Sequence, residues 1–453
     1  MSRMIVFHVD EKPSLSLTIL AGAQHVLTLF GATTLVPLIF GPAMRMSEEQ
    51  IATFICCVYF GMGVATLIQT WPRTGSGLPI VQGSSFSFIP PIMTIIGLYE
   101  VDGPNVIMQY VGGSLLIGGI GLALIGYTGI VGKIRKLITP IVIGPTIMAI
   151  GFSLAGTAVD NASSYWPVAI LTVVVVFFCG LASKNKYSQI FCVLIAIASA
   201  YLTCLIFTMA GVFTGEHSAY VDIASISNAP WFRGDIIMPW GPPKFSVAAI
   251  GAVAAGFLCV MIESIGDYHS CAIAAGMNSP SEKQISRGIG AEGVGCALSG
   301  MLGSVGTTSY TENIGLIAIT GVASRHVVRA GAVILIIISF VGKIGALIAT
   351  IPKPVIGGAY ITLFGTIGAI GIQTLLRGNM RSQRNVMIVG FAFLMSQGIP
   401  GWADANQAQF VTALGETMGS TIWAIMKTPM AVAAICAVMG DSLIPGTDEE
   451  RGI

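Results

Sequence analysis

The sequence predicts an all-α polytopic membrane protein, and three observations support this fold class. Charged residues make up only 9% of the 453 residues, whereas hydrophobic residues make up 54%. The mean hydropathy is +0.82. A chain with so few charges cannot cover a water-facing surface in the usual way. The apolar residues also fall into runs of about 20 residues, the length that a helix needs to cross a bilayer.

Fourteen apolar segments can be placed along the chain, which is close to the number that its length allows. They cover approximately residues 15–40, 51–70, 79–97, 106–128, 137–157, 164–183, 189–212, 246–266, 287–302, 308–321, 326–350, 355–375, 385–399 and 419–440. The longest connection, residues 213–245, divides the chain into two halves of seven segments each.

The lysines and arginines of the connections give an independent test of this topology. One side of the membrane is predicted to carry only Arg45, Arg233, Lys244 and Lys353. The other side carries Arg3, Lys12, Arg73, Lys133, Arg135, Lys136, Lys184, Lys186, Lys283, Arg287, Arg325, Arg329, Arg377, Arg381, Arg384, Lys427 and Arg451. Because positively charged loops stay in the cytoplasm, both termini are predicted to be cytoplasmic, in a multi-pass protein of the cell membrane (plasma or inner membrane).

Two segments are interrupted by glycine, proline and polar residues. The third reads GLPIVQGSSFSFIPPIM over residues 77–93, and the tenth begins only after GSVGTTSYTEN, residues 303–313. Both are predicted to be broken half-helices preceded by extended backbone, which is tolerated at membrane depth only where it is buried in protein or lines a cavity. Their corresponding places in the two halves predict two inverted repeats of seven spans, with a binding site where the broken helices meet.

Four carboxylates lie within or next to apolar segments: Glu263, Asp267, Glu292 and Glu312. An unpaired ionised group in such a position costs at least ~2.5 kcal/mol, so these residues are functional candidates. Glu263 and Asp267 are four residues apart and share one face of a helix, where their charges repel unless they are protonated, solvated or bound to a cation. The alternative for this pair is an idle, solvated position at the cytoplasmic end of span 8.

The other two carboxylates receive different interpretations. Glu312 opens the half-helix NIGLIAIT, where free N–H groups and the positive end of the helix surround it, and we favour a binding role over simple capping. Glu292 lies in the small-residue segment GIGAEGVGCALSG. A hydrogen-bonded packing glutamate at a tight helix crossing is the favoured interpretation there, so Glu292 is not a predicted site residue.

Phe86 and His25 are further candidates. Phe86 lies in the broken third span, where its ring could stack on a flat ligand, although an isolated aromatic residue in apolar sequence usually only packs. His25 is the one histidine well inside an apolar segment. A proton-linked role and a satisfied core histidine are both compatible with that position.

Several classes of function find no support in the sequence. The nine cysteines lie almost entirely in apolar runs without metal-type clustering, so no metal site and no cofactor is predicted. HExxH, GxSxG and P-loop motifs are absent from the sequence, which argues against an enzyme. Basic residues form no face suited to nucleic acid. The N-terminus also lacks the pattern of a removable signal peptide.

Five motifs resemble one known family over nearly the whole chain. They are QH at residues 24–25, QGSSFSF at 82–88, ESIGDY at 263–268, ENIGLIAITG at 312–321 followed by VASR, and IPKPVIGG at 351–358. With them the sequence resembles the nucleobase–ascorbate transporter family, also called nucleobase:cation symporter 2. The resemblance implies a core domain of residues 1–128 and 246–350, a gate domain of residues 129–245 and 351–453, and a homodimer.

The resemblance also implies roles for individual residues. Glu263 and Glu312 match the glutamates that hold the base, and Phe86 matches the span-three part of the site. Tyr310 and Thr311 match its backbone contacts. Phe364 falls where uracil permeases carry a tyrosine on the gate side.

Ion coupling is expected to involve Asp267, His25 and Glu263. Uracil permeases carry a histidine where this chain has Asp267, whose carboxylate could hold Na⁺. Protons are the preferred coupling ion, because a proton discharges an otherwise negative site.

The expected function is import of a nucleobase, uracil or a xanthine-like purine, by ion-coupled symport with alternating access. The sequence leaves the identity of the transported base open. Ascorbate carriers have proline, and xanthine or urate carriers usually have glutamine, where this chain has Glu312. A sodium-coupled ascorbate-type carrier is the first alternative. An intramembrane enzyme or a receptor without transport is the remote one.

Overall fold

The computed structural model describes residues 5–131, 139–235 and 237–452. Four of the basic residues used above, Arg3, Lys133, Arg135 and Lys136, lie outside the described residues. The helices of the first half are α1 Leu15–Ala43, α2 Glu48–Gln69, α3 Ile89–Leu98, α4 Pro104–Tyr127, α5 Pro140–Ser153, α6 Ala155–Ser163, α7 Trp166–Phe177 and α8 Cys192–Met209.

The helices of the second half include one further half-helix that follows a short strand. They are α9 Val247–Ala274, α10 Glu282–Met301, α11 Thr311–Thr320, α12 Arg325–Ser339, α13 Gly342–Ala349, α14 Lys353–Leu375, α15 Gln383–Ala405, α16 Gln407–Leu414, α17 Glu416–Lys427 and α18 Pro429–Leu443. Short helices at Lys186–Ile190, Ile223–Asn228 and Asp448–Arg451 lie in the connections and the C-terminal tail.

The all-α membrane class predicted from the sequence is confirmed. Within the described residues, eight helices are long and apolar enough to cross a membrane, or nine if α17 and α18, bent by 88° at their junction, form one span. The ninth predicted span corresponds to the 20-residue helix α10, which is not among the eight, and the remaining predicted spans correspond to shorter or broken helices. The total of fourteen spans and their inverted repeat remain predictions.

The two interrupted segments contain short strands, as the sequence predicts. Strand β1, Gln82–Ser84, precedes α3, and strand β2, Thr307–Ser309, precedes α11. The strands pair antiparallel, with Gly83 opposite Thr308. Since the paired strands are buried, their backbone groups satisfy each other, which is the condition for non-helical backbone at membrane depth.

Helices α4 and α10 pack at very close range through glycines. A β-carbon on Gly119 would lie 2.6 Å from the Gly293 carbonyl oxygen, and a β-carbon on Gly293 would lie 2.6 Å from the Gly119 carbonyl oxygen. Only glycine permits this approach, which is typical of helix pairs in membranes. The crossing holds α10, and with it Glu292, firmly against the rest of the protein.

One predicted side assignment is wrong. The sequence places Lys427 on the same side as Arg384, but Lys427 forms a 2.5 Å ion pair with Asp404. Asp404 and Arg384 lie near opposite ends of α15, about 30 Å apart for a helix that rises 1.5 Å per residue. The bend between α17 and α18 brings Lys427 to the opposite side, and a hydropathy pattern does not reveal such a bend.

Candidate functional site

Because β1 and β2 pair, the half-helices that follow them, α3 and α11, begin in the same region of the protein. Helix α11 begins at Thr311, two residues after the end of β2, and the side chain of its N-cap residue, Tyr310, makes no capping hydrogen bond. The first N–H groups of a helix have no partner within the helix, so they carry partial positive charge. Glu312 lies in this first turn, as predicted from the sequence.

Helix α9 supplies the two carboxylates that the sequence placed on one helix face. Glu263 is half-buried and lies near the hydroxyl groups of Ser87 and Thr308. Asp267 is buried, and both of its oxygens lie within hydrogen-bonding distance of the Thr311 hydroxyl, at 3.0 and 3.2 Å. The broken spans 3 and 10 therefore contribute side chains to the carboxylates of α9.

Asp267 does not have the idle position that the sequence left as an alternative. The apolar run ends near residue 266, but α9 continues to Ala274. Asp267 therefore lies inside the helix rather than at its end. Its hydrogen bond to Thr311 connects it directly with the half-helix that carries Glu312.

Glu312 faces space inside the protein. Its side chain is accessible, while desolvation by the surrounding protein acts on its carboxylate. The charge of Glu312 acts on Glu263, and the charges of Glu263 and Glu312 both act on Asp267. No ion pair in the described parts of the chain includes any of these three residues. The site is a cluster of acidic groups without a basic partner.

Glu292 connects α10 to both halves of the site. Its carboxylate accepts hydrogen bonds from the Ser264 hydroxyl at 2.6 Å, the Ser309 amide at 2.9 Å and the Tyr268 hydroxyl at 3.3 Å. Gln69 in turn donates to the Tyr268 hydroxyl at 2.6 Å. Each of these groups donates to Glu292, so both carboxyl oxygens have hydrogen-bond partners. The hydrogen-bonded packing role expected from the sequence agrees with this geometry.

Aromatic residues from α14 contact the broken third span at Phe86. The ring of Phe364 meets the ring of Phe86 edge to face, with centroids 6.3 Å apart. Tyr360, one turn earlier on α14, stacks on Phe364 at 5.0 Å, and its hydroxyl donates to the Leu35 carbonyl oxygen at 2.7 Å. The sequence predicted Phe86 and Phe364 but not Tyr360, although its position four residues before Phe364 places both on one helix face.

Tyr310 is less available for binding than the resemblance implied. Its backbone N–H donates to the Val81 carbonyl oxygen at 3.0 Å, and its buried hydroxyl accepts from Thr33 at 3.2 Å. The backbone bond joins the two broken spans, and the hydroxyl bond joins Tyr310 to α1. The N–H of Thr311 lies in the first turn of α11, where the helix itself supplies no acceptor.

His25 is buried and lies against α11. The side-chain amide of Asn313 approaches His25 Nδ1 at 3.0 Å and donates to the His25 carbonyl oxygen at 2.9 Å. An amide nitrogen that donates to Nδ1 leaves the proton of a neutral ring on Nε2. His25 therefore positions the turn after Glu312, and its predicted part in ion coupling stays a prediction.

Within the described residues, no group of three or more histidine, cysteine or acidic residues has the arrangement of a metal site. The oxygens around Asp267 are the hydroxyl of Thr311 and the neighbouring carboxylates. All of these are hard oxygen ligands, which differ from the nitrogen and sulfur ligands of typical zinc and copper sites.

Comparison with known proteins gives a consistent result. Residues 16–404 match the model of the Permease family, Xan_ur_permease. Solute carrier family 23 member 1 of Rattus norvegicus is 31% identical, over 99% of this chain and 82% of its own length. Solute carrier family 23 member 2 of Homo sapiens is 30% identical, over 99% of this chain and 76% of its own length. Nucleobase-ascorbate transporter 12 of Arabidopsis thaliana is 29% identical, over 95% of this chain and 69% of its own length.

Solved structures with a similar fold are also membrane transporters. The transmembrane domain of the cyanobacterium bicarbonate transporter BicA matches with a TM-score of 0.54 and 14% identity, over 96% of this chain and 99% of that one. The murine Slc26a9 anion transporter in its inward-facing state matches with a TM-score of 0.58 and 10% identity, over 94% and 69%. At this identity the likeness concerns the fold alone. From the family match and the relatives together, the chain is a multi-pass membrane transporter that belongs to the nucleobase–ascorbate transporter family.

Proposed function

We propose that the protein is a secondary active symporter that imports a nucleobase, uracil or a xanthine-like purine, together with protons. The observation that carries this proposal is the hydrogen bond from Thr311 to Asp267, which joins α9, with Glu263 one turn before Asp267, to the first turn of α11, where Glu312 lies. Two acidic groups and free backbone N–H groups at one point, without a basic partner, form a site for a neutral ligand and a cation.

The chemistry of a nucleobase fits this set of groups. The edge of uracil or xanthine alternates N–H donors with C=O acceptors. The carboxylates of Glu263 and Glu312 accept from the N–H groups, and the first-turn N–H groups of α11 donate to the carbonyl oxygens. The flat ring can pack against Phe86 and Phe364, whose rings already meet edge to face.

Proton coupling follows from the charge of the site. Three acidic groups that act on one another in an apolar region are costly while they are ionised. Binding one proton with the base lowers this cost and lets the loaded site move between the two sides of the membrane. We assign the coupling to Glu263 and Asp267, with His25 as the third predicted participant.

Alternating access requires two bodies that move against each other. We propose the core domain, residues 1–128 and 246–350, and the gate domain, residues 129–245 and 351–453. Packing of α4 on α10 and of α2 on α12 within the first body, and of α14 on α5 to α7 within the second, supports this division. The fourteen spans in two inverted repeats, the cytoplasmic termini, the cell-membrane location and the homodimer belong to the same proposal.

Sodium-coupled transport of ascorbate is the second candidate. It is favoured by Asp267, a hard oxygen ligand that the Thr311 hydroxyl already orients. The names of the plant relatives also include ascorbate beside nucleobase. Against it, anionic ascorbate would meet the negative charges of both Glu263 and Glu312.

A thermal-shift panel on the purified protein separates the two candidates. A ligand that binds only the folded state raises the free energy of unfolding, by about 2.7 kcal/mol at 100 times its Kd. We expect uracil or xanthine to raise the melting temperature at neutral pH without sodium, and ascorbate to leave it unchanged. A shift with ascorbate alone, dependent on sodium, would replace the nucleobase proposal by the second candidate.

A further inference from the structure

The N-terminal segment runs along the connection between α11 and α12. We call residues 5–11 the strap and residues 321–325 the link. The link contains the VASR sequence that follows the ENIGLIAITG motif, and the site described above uses neither VASR nor the strap. At the side of the membrane where the basic residues predict the cytoplasm, the strap covers the ends of the helices that carry the acidic residues.

Backbone hydrogen bonds join the strap to the link along most of its length. The Phe7 N–H donates to the Gly321 carbonyl oxygen at 3.2 Å, and the Phe7 carbonyl oxygen accepts from the Ala323 N–H at 2.9 Å. Further along, the Arg325 N–H donates to the Val9 carbonyl oxygen at 3.0 Å. These bonds follow the pattern of two parallel strands, with a bridge at Phe7.

Side chains reinforce the same contact. Arg325 is largely buried and forms a 2.7 Å ion pair with Asp10, whose side chain is 84% exposed. Ser324 donates to the Glu11 carbonyl oxygen at 2.6 Å and accepts the His326 N–H as the cap of α12. The two polar residues of VASR therefore hold the strap in place.

The other edge of the strap reaches the end of α9. Ile5 lies over Gly276, where a β-carbon would come within 2.9 Å of the Ile5 side chain. A groove of about 370 Å³ separates residues 8–11 from residues 275–277. The strap thus touches both the residues just after α9 and the residues just after α11.

These two helix ends lie close to the proposed site. Asp267 precedes the last residue of α9 by seven positions, and Glu312 precedes the last residue of α11 by eight. The distances along the helix axes are about 10 Å and 12 Å. Each of these stretches is about two turns of continuous helix. A shift at the end of the helix is therefore expected to move the carboxylate that the helix carries.

We propose that residues 5–11 form a positioning strap that holds the ends of α9 and α11 at a fixed separation, so that the carboxylates of the two helices keep the spacing that the substrate requires. The inference rests on the proposed function only in naming that substrate. The strap touches no substrate itself, and it acts through Asp267 and Glu312.

The transport test changes Asp10, the exposed member of the ion pair with Arg325. Asp10→Asn removes the charge that holds Arg325, and Asp10→Glu retains it. Glu100→Gln is the matched control, because it removes a 2.6 Å surface ion pair with Arg45 that is remote from the strap. We expect Asp10→Asn to raise the KM for uracil or xanthine about three- to tenfold, with the other two variants near wild type. An unchanged KM in Asp10→Asn would overturn the proposal.

A second measurement needs no substrate. Phe7→Pro removes the Phe7 N–H, and hydrogen exchange in the purified protein then reports which segments loosen. A positioning strap predicts faster exchange both in the link and within residues 311–320 of α11. Faster exchange confined to the strap and the link would mean that the strap is a local contact only, and would overturn the proposal. If the wild type transports no base, the proposed function fails while this measurement still decides the inference.

Discussion

Glu263→Gln is expected to lower the initial rate of nucleobase uptake at least about 100-fold while the protein still inserts and folds. The carboxylate accepts hydrogen bonds through both oxygens, whereas an amide turns one of them into a donor that faces the N–H groups of the base. The change replaces one charge-assisted hydrogen bond, worth ~1.5 to 3 kcal/mol, by a repulsive contact between donors. Glu312→Gln is expected to act in the same direction through the other contact with the base.

Uptake of labelled base into proteoliposomes measures this effect. Glu282→Gln is the matched control, since Glu282 also lies in the first turn of a helix but outside the site. It should transport at the wild-type rate. Full transport by Glu263→Gln would remove Glu263 from the binding site, and full transport by Glu312→Gln would do the same for Glu312.

Glu292→Ala is expected to have the largest effect on stability. The substitution leaves the Ser309 N–H and the hydroxyl groups of Ser264 and Tyr268 without their acceptor in a buried region. Unsatisfied buried groups cost about 1–3 kcal/mol each. Ser309 and Ser264 also fix β2 against α9, so the spacing between Glu263 and Glu312 should be lost as well.

Glu292→Gln separates the loss of stability from the loss of the spacing between Glu263 and Glu312. Its side-chain oxygen can still accept from Ser264 and Ser309, but its amide group meets the Tyr268 hydroxyl, which already accepts from Gln69. We expect a smaller loss of melting temperature than for Glu292→Ala, together with measurable transport. A melting temperature of Glu292→Ala equal to that of the wild type would contradict the role of Glu292 as the connector of the site.

The sequence predicted the broken spans because clustered glycine, proline and polar residues interrupt a hydrophobic run and disfavour a continuous helix at membrane depth. The four-residue spacing of Glu263 and Asp267 likewise predicted one helix face. In contrast, the apolar run ended too early for α9, because the polar residues after Asp267 hide the helix that continues to Ala274. Local composition thus predicted the candidate site residues but not the end of the helix.

Other features of the site depend on contacts between distant parts of the chain. Tyr310 uses its N–H on Val81, and no motif indicates that pairing. The partners of Glu292 come from α9 and from β2, so a single segment gives no sign of them. Lys427 was assigned to the wrong side because the 88° bend between α17 and α18 is set by packing rather than by hydropathy. The N-terminal strap pairs residues more than 300 positions apart, which is beyond the reach of local patterns.

Concentrative uptake in proteoliposomes tests the central proposal most directly. Vesicles that contain the purified protein are given labelled uracil or xanthine, with the outside more acidic than the inside and sodium absent. The proposed function predicts accumulation of one of these bases above its outside concentration, and loss of that accumulation when a protonophore collapses the gradient. Accumulation of ascorbate alone, driven by a sodium gradient, or no concentrative uptake of any base would contradict it.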